Sequence, residues 1–167
     1  MCSHFALLSR ASLYGGAMTL QGLCSVAHSR PLNAEELTEF NDAISGLDRV
    51  FGITYTHIAG DRVTLTAPVT EALLQPTGIV HGGVYASLAE SAASVGGLVA
   101  AGVGRSVSGI TNHTDFLAAV SHGELIAHAT PVHTGKTLHL WEVDIRANKR
   151  VVARSTVRCI VLAPRID

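Results

Sequence analysis

The sequence predicts an α+β fold in which one long buried helix lies against an antiparallel sheet. Three observations support this prediction. The stretch from Gly82 to about Ala101 is apolar on nearly every side, as in a helix surrounded by protein. Two strand-like runs precede it and four follow it, with tight turns between consecutive runs. The chain has 167 residues, enough for one compact domain with a sizeable core.

The residues before the first strand fall into two parts. Residues 1–31 contain no acidic residue and are rich in small side chains, so we expect a poorly ordered leader followed by the folded domain at 32–167. A targeting peptide is the other reading of the leader, although no compact apolar core precedes a clear cleavage site. Asn33 is a good N-cap, and apolar residues at helical spacing predict a short amphipathic helix that ends near Gly46.

Six runs have the composition and alternation of β-strands. The runs at 51–60 and 62–69 meet at a Gly-Asp turn, which makes them antiparallel. The four later runs cover 106–120, 123–135, 137–147 and 150–162. Gly96 and Gly97 each weaken the long helix by about 1 kcal/mol relative to alanine. We therefore expect a flat surface such as the sheet to press on the helix backbone there.

The composition and net charge of the chain exclude some classes of binding partner. A 47% hydrophobic content is high for a soluble monomer, so we expect part of the apolar surface to be buried against another copy of the chain. The net charge of −1 gives no electrostatic case for nucleic acid or an anionic membrane, and no apolar run reaches the ~18 residues of a membrane span. Three scattered cysteines favour a reducing compartment, hence the cytoplasm, and the nine histidines lack a metal-ligand spacing.

Glu90 is the single carboxylate of the long apolar helix. No lysine or arginine lies between Arg62 and Arg105, so Glu90 has no local ion-pair partner. A buried charge is costly unless it is paired or hydrogen-bonded, and partial burial would suit Glu90 to act as a general base or as a nucleophile. The structural alternative is a carboxylate satisfied by Tyr85 or by backbone donors.

The start of the same helix supplies complementary groups. Gly82 and Gly83 leave the first backbone N–H groups uncovered, where an oxyanion would be stabilised. His81 could donate a hydrogen bond there, and Gln75 could orient a carbonyl or a water molecule. Glu90 lies ~12 Å along the helix from Gly82, too far for both to hold one carbonyl. The sequence therefore predicts that the helix start of one chain faces Glu90 of another.

The stretch HGGVYASLAESAAS, preceded by Gln75, resembles the hotdog-fold acyl-CoA thioesterases. The likeness runs from about Leu47 to Leu162. It is strongest to the PaaI-like group, in the branch of the Arthrobacter-type 4-hydroxybenzoyl-CoA thioesterase. The resemblance implies a hotdog fold, an antiparallel sheet wrapped around the central helix at about 82–101. The family positions for Gln, His-Gly, Glu and Thr or Ser fall on Gln75, His81, Gly82, Glu90 and Ser94.

The resemblance also implies an activity, the hydrolysis of small aromatic or short-to-medium-chain acyl-CoA thioesters. Gly82, Gln75 and His81 would polarise the thioester carbonyl, Glu90 of the partner subunit would be base or nucleophile, and Ser94 would place the water. Coenzyme A is part of the substrate, so no separate cofactor and no metal are expected. The expected assembly is a homo-oligomer, a dimer or a dimer of dimers, with acyl-CoA as the ligand.

The resemblance to this family also implies that coenzyme A binds near a turn between two strands. Gly83, at the start of the long helix, would be a further substrate contact. The turn residues are Val132, His133, Thr134, Gly135 and Lys136; a plain solvated hairpin is an equal alternative. Some relatives carry an additional histidine where this chain has Phe116, and the pair Phe116-Leu117 is more consistent with core than with an acyl pocket. The sequence leaves open a non-catalytic acyl-CoA-binding hotdog protein, a sensor or scaffold, and a hotdog hydratase or dehydratase.

Overall fold

The computed structural model describes residues 18–163 of the chain. A 3₁₀ turn at Glu71–Leu73 precedes the long helix. The helices are α1 Leu20–Ser29, α2 Ala34–Ala43, α3 Leu47–Val50 and α4 Gly82–Ala101. The strands are β1 Thr54–Ile58, β2 Val63–Pro68, β3 Ser106–Phe116, β4 Glu124–Thr134, β5 Leu138–Ala147 and β6 Arg150–Leu162.

The six strands form one sheet in the order β1-β2-β4-β5-β6-β3, and every neighbouring pair is antiparallel. Helix α4 lies across one face of this sheet, and its buried residues form a continuous core with the inward side chains of the strands. The sequence-based fold, an antiparallel sheet around one long central helix, is confirmed. Strand β3 occupies one edge of the sheet. It ends at Phe116, whereas the predicted run extends to residue 120.

Close contact between α4 and the sheet explains the two mid-helix glycines. A Cβ on Gly96 would lie 2.6 Å from Cη2 of the fully buried Trp141, and a Cβ on Gly97 would lie 3.2 Å from Cγ2 of Val107. Both distances are shorter than normal carbon–carbon contact. The prediction that the sheet presses on the helix backbone is confirmed.

The segment that the sequence assigns to a poorly ordered leader contains helix α1, which corrects the prediction for residues 20–29. Thr19 caps the helix by accepting a hydrogen bond from the Gly22 amide, and the side chains of Leu23, Cys24 and Ala27 are buried. These three side chains recur at helical spacing, so one face of α1 contributes to the core. Residues 1–17 lie outside the described residues.

Helix α2 begins as predicted. Asn33 accepts a hydrogen bond from the Glu36 amide and the Glu36 carboxylate accepts one from the Asn33 amide, which is a capping box. The helix ends at Ala43, and the short α3 follows between Gly46 and Gly52, both at positive φ. This turn places α3 beside α4.

In the described residues, α4 is the one helix long and apolar enough to span a membrane by length and composition. More than half of its most apolar window, 56%, is buried inside the protein. Contacts with the sheet account for this apolar composition, since a core helix has the same character.

Candidate active site

The start of α4 is capped by His81. Its Nδ1 accepts a hydrogen bond of 2.9 Å from the Gly83 amide, so the proton of a neutral ring lies on Nε2, which is left free to donate. The Gly82 amide has no hydrogen-bond acceptor among residues 18–163. The sequence predicts free amides at both glycines; the structure leaves that of Gly82 free and engages that of Gly83 with the cap.

A short loop brings Gln75 to the helix start. Gly78, at positive φ, donates from its amide to the Gln75 carbonyl, and the Gln75 amide donates to the Ile79 carbonyl, both at 2.8 Å. The His81 amide then donates to the Leu73 carbonyl, which ties the end of the loop to its beginning. The side-chain amide of Gln75 donates to the Thr77 hydroxyl at 2.9 Å. Gln75 and His81 therefore line the same cavity at the helix start.

A cavity of about 520 Å³ opens at this helix start. It is lined by Gln75, Ile79, Val80, His81, Gly82, Gly83, Tyr85 and residues 116–119. Phe116 and Leu117 are 58% and 55% exposed, so the interpretation of this pair as core is wrong. Phe116 is the last residue of β3 and Leu117 follows it, and the two side chains form one wall of the cavity. A Cβ on Gly82 would lie 2.7 Å from Cζ of Phe116, so only glycine allows the ring to approach so closely.

Glu90 lies on α4 about two turns beyond Gly82. It is exposed in the single chain, contrary to the expected partial burial. The Tyr85 hydroxyl has no hydrogen-bond partner among the described residues, so it does not hold the Glu90 carboxylate. Glu90 and Ser94 line a second cavity of about 380 Å³, together with Ser87 and Val95 of the same helix face.

A second carboxylate, Asp48 on α3, lines the same cavity as Glu90. Its two oxygens accept hydrogen bonds from the Ser91 hydroxyl at 2.6 Å and from the Tyr55 hydroxyl at 2.9 Å. Burial, and then the Asp48 charge, raise the pKa of Tyr55 well above its ordinary value, so this phenol remains a donor. Sequence reasoning missed Asp48; the glycines on either side of α3 were the available signal for a turn toward α4.

Strand β3 lies against Glu90 from the sheet side. A β-bulge between Gly109 and Thr111 interrupts the pairing with β6, and a Cβ on Gly109 would lie 3.2 Å from Oε1 of Glu90. Next to the bulge, the Asn112 side-chain amide donates to the Ala86 carbonyl at 2.8 Å, which ties β3 to α4. Burial, with a smaller contribution from the Glu90 charge, raises the pKa of Cys159, so this thiol is packing rather than a nucleophile.

The candidate residues divide between two cavities that share no lining residue within one chain. Gln75, His81 and Gly82 line the first, whereas Glu90 and Ser94 line the second. Eight residues of helix separate Gly82 from Glu90, about 12 Å along the axis. One described chain therefore carries both halves of the predicted site but does not bring them together.

The turn predicted to bind coenzyme A lies at the opposite end of the sheet from the helix start. The Gly135 amide donates to the Leu138 carbonyl at 3.0 Å, and the Arg105 guanidinium donates to the Lys136 carbonyl at 3.2 Å. Val132 is 59% exposed, and the His133 ring lies against Gly135. None of these turn residues lines the two cavities of the site, so their role stays a prediction. Among residues 18–163, no group of three or more His, Cys, Asp or Glu side chains could hold a metal.

The fold and the family together define a thioester hydrolase of the hotdog type. Residues 77–153 match the model of the Thioesterase superfamily. A putative esterase of Mycobacterium tuberculosis is 41% identical over 115 residues, which cover 66% of this chain and 82% of the relative. The chain belongs to the Thioesterase superfamily, which confirms the resemblance to hotdog-fold thioesterases at the level of the family.

Solved structures and a second relative support the same family assignment. A thioesterase from Haemophilus influenzae superposes with a TM-score of 0.73 at 29% identity, over 76% of this chain and 90% of that one. The structure of the Mycobacterium tuberculosis putative esterase gives a TM-score of 0.67 at 38% identity, over 71% and 97%. A 1,4-dihydroxy-2-naphthoyl-CoA hydrolase of Listeria monocytogenes is 34% identical over 100 residues, 60% of this chain and 81% of the relative.

Proposed function

We propose that the protein is an acyl-CoA thioesterase that hydrolyses small aromatic or short-to-medium-chain acyl-CoA thioesters at a site formed by two chains. The main support is the division of the motif: the carbonyl-binding groups and the carboxylate lie in separate cavities, and each cavity lacks what the other has. A homodimer that places the helix start of one chain against Glu90 of the other would complete two equivalent sites.

The groups at the helix start would bind the thioester oxygen. The free Gly82 amide and the Nε2–H of His81 are the donors, and they would strengthen their hydrogen bonds as negative charge develops on that oxygen. Gln75 lies beside them and would orient the thioester.

The Glu90 carboxylate of the partner subunit would then act in one of two ways. As a base, it takes a proton from water while the water oxygen attacks the carbonyl carbon. As a nucleophile, it forms an anhydride that water opens. In both cases the C–S bond breaks, the coenzyme A thiolate takes up a proton, and the acid is released. Ser94, one turn from Glu90, would hold the water.

The shape of the first cavity supports a small or aromatic acyl group. The rings of Tyr85 and Phe116 lie 6.0 Å apart on its wall, where they would pack against an aromatic acyl group. Asp48 would bound the acyl end of the completed site from the other chain. The related 1,4-dihydroxy-2-naphthoyl-CoA hydrolase acts on an aryl thioester, which is consistent with this class.

The coenzyme A nucleotide would extend toward the turn at residues 132–136. Lys136 and Arg105 are the cations at that turn, and Lys136 would meet a phosphate as a point charge. Cys24 and Cys159 are buried and free, which supports the proposal that the protein works in the cytoplasm.

Release of free thiol from benzoyl-CoA and hexanoyl-CoA tests the proposal. We expect turnover by the wild type and a loss of about 10³-fold or more in kcat for Glu90→Ala. Glu35→Gln, a change of an exposed carboxylate on α2, is the control and should keep full activity. Unchanged turnover in Glu90→Ala would remove Glu90 from the mechanism. Tight acyl-CoA binding without hydrolysis across a broad panel would instead favour the non-catalytic binding protein.

A further inference from the structure

We propose that Asn112 of strand β3 is a positioning residue, which holds the Glu90 carboxylate in place for the hydrolysis step. This inference rests on the proposed thioesterase function and adds a residue that acts through Glu90 rather than on the substrate. Three features of the contact between β3 and α4 support it: the surroundings of the carboxylate, the bulge of β3, and a chain of hydrogen bonds that ends on α4.

The Glu90 carboxylate depends on the backbone around it for its place. No group among residues 18–163 donates a hydrogen bond to this carboxylate, although the hydroxyls of Ser91 and Tyr55 both donate to the neighbouring Asp48. A Cβ on Gly109 would lie 3.2 Å from Oε1 of Glu90, so β3 borders the carboxylate closely. The distance between α4 and β3 therefore decides where the carboxylate lies.

The β-bulge turns Asn112 toward α4. Side chains of a regular strand alternate between the two faces, so Gly109 and Thr111 would share a face. Thr111 instead pairs with the exposed Arg158. Asn112 pairs with the buried Val157 and lies on the same face as Gly109, because the bulge adds one residue to β3.

The Asn112 side chain binds the turn of α4 that carries Glu90. Its Nδ2 donates to the Ala86 carbonyl at 2.8 Å. In an α-helix the amide of one residue donates to the carbonyl four residues earlier, so the Ala86 carbonyl also accepts from the Glu90 amide. Glu90 and Asn112 line one small cavity of about 180 Å³ together with residues 109–111. Asn112 therefore ties β3 to the backbone carbonyl that binds the Glu90 amide.

Two hydroxyls fix the orientation of the Asn112 amide. The Thr114 hydroxyl donates to Asn112 Oδ1 at 2.8 Å, which leaves Nδ2 to face α4. Since Thr114 has one proton to donate, the Ser155 hydroxyl, 2.8 Å away, donates to Thr114 in turn. Ser155 is 1% exposed, so this chain of hydrogen bonds reaches the core. Satisfied polar chains of this kind make a structure rigid, whereas the apolar contact of Val107 with Gly97, also between β3 and α4, has no fixed direction.

The test compares Asn112→Leu with the wild type on benzoyl-CoA and hexanoyl-CoA. Leucine is similar in size but cannot bind the Ala86 carbonyl, so the Glu90 carboxylate should lose its fixed place. We expect kcat to fall about tenfold or more, with KM changed by less than about twofold, because Asn112 acts on the reaction step rather than on substrate binding. In a crystal structure of the variant, the Glu90 carboxylate should move by about 1 Å or more, or occupy more than one rotamer.

Val107→Ala is the matched control, because it weakens the contact of β3 with Gly97 and leaves the turn of Glu90 unchanged. It should lower the thermal midpoint and keep the wild-type kcat. Thr114→Val removes the hydroxyl that orients the Asn112 amide, so kcat should fall about threefold at constant KM. This second variant carries the test if Asn112→Leu does not fold.

Three results would overturn the proposal. These are a wild-type kcat in both Asn112→Leu and Thr114→Val, a rise in KM as large as the fall in kcat, or a loss of kcat in Val107→Ala equal to that in Asn112→Leu. If the wild type hydrolyses neither thioester, the proposed function fails separately. The crystal structures of Asn112→Leu and Val107→Ala then decide the role of Asn112, and an undisturbed Glu90 carboxylate in Asn112→Leu contradicts it.

Discussion

Two histidines of the sheet couple the stability of the protein to pH. Burial is the main cause that lowers the pKa of His139 and of His128 below the ordinary value of 6.5, and the Arg146 charge adds to it at His128. Protonation therefore favours the unfolded chain. The free energy of unfolding should be constant above about pH 6.5 and should fall as the pH drops below 6.5, until the folded-state pKa values are passed.

Urea unfolding at pH 8.0 and at pH 5.5 measures this loss. The double variant His128→Gln and His139→Gln should lose less stability between the two pH values than the wild type does, whatever its stability at pH 8.0. His122→Gln, at an exposed turn, is the control and should keep the wild-type difference. An equal loss in wild type and double variant would contradict the assignment.

The sequence places residues of the candidate site relative to one another where they lie within one segment. His81, Gly82 and Glu90 belong to a single stretch, so their relation follows from helix geometry alone. Asp48 meets Ser91 across 43 residues, and no local pattern encodes that contact. Phe116 has the composition of core but is exposed, because the strand that carries it ends there. Which side chains a strand end leaves uncovered depends on the assembled sheet.

The long helix depends on glycine where the sheet touches it. In Gly96→Ala the new methyl group would lie 2.6 Å from the buried Trp141 ring, which has no free space to move into. We expect a net loss of about 1–3 kcal/mol in the free energy of unfolding, even though alanine favours the helix. Gly22→Ala in α1, where the nearest atom would be 3.4 Å away, should be neutral or stabilising. Chemical denaturation of both variants measures the contrast, and equal effects would contradict it.

Elements with a strong hydrophobic pattern were predicted well, and elements without such a pattern were not. The strands alternate between apolar and polar residues and α4 is apolar on nearly every side, so the type and order of these elements followed from the sequence. Helix α1 was not predicted from the sequence. Its buried face consists of Leu23 and two small residues, Cys24 and Ala27, within a segment otherwise rich in serine and glycine. Its stability comes from contact with α4, including the hydrogen bond between His28 Nδ1 and the Val99 carbonyl at 2.8 Å.

At the scale of the whole molecule, a shared site predicts complementation between two inactive variants. Gln75→Ala and Glu90→Ala damage different cavities, so a mixed dimer would hold one site with both groups intact. Random mixing should restore about a quarter of wild-type activity, since half of the dimers are mixed and half of their sites are intact. Co-expression with two affinity tags and thiol release from benzoyl-CoA measure it.

The control for complementation is Glu90→Ala co-expressed with a second, differently tagged Glu90→Ala chain, which should stay inactive. Mixed dimers that remain as inactive as either parent would show that one chain supplies both groups. The proposed oligomer can be predicted only in outline, because the exposed Glu90 and the edge position of β3 do not define which surfaces of two chains would meet.

The apolar character of α4, which carries Glu90 as its single charged side chain, has a consequence for biosynthesis. The helix leaves the ribosome before β3, β4, β5 and β6, which supply most of its cover, have been made. Among the described residues, the three short helices, the first hairpin and the 3₁₀ turn are the elements made before α4. A nascent chain with so apolar a segment is a natural client for a chaperone, and slow elongation after Ala101 would lengthen its exposure to aggregation.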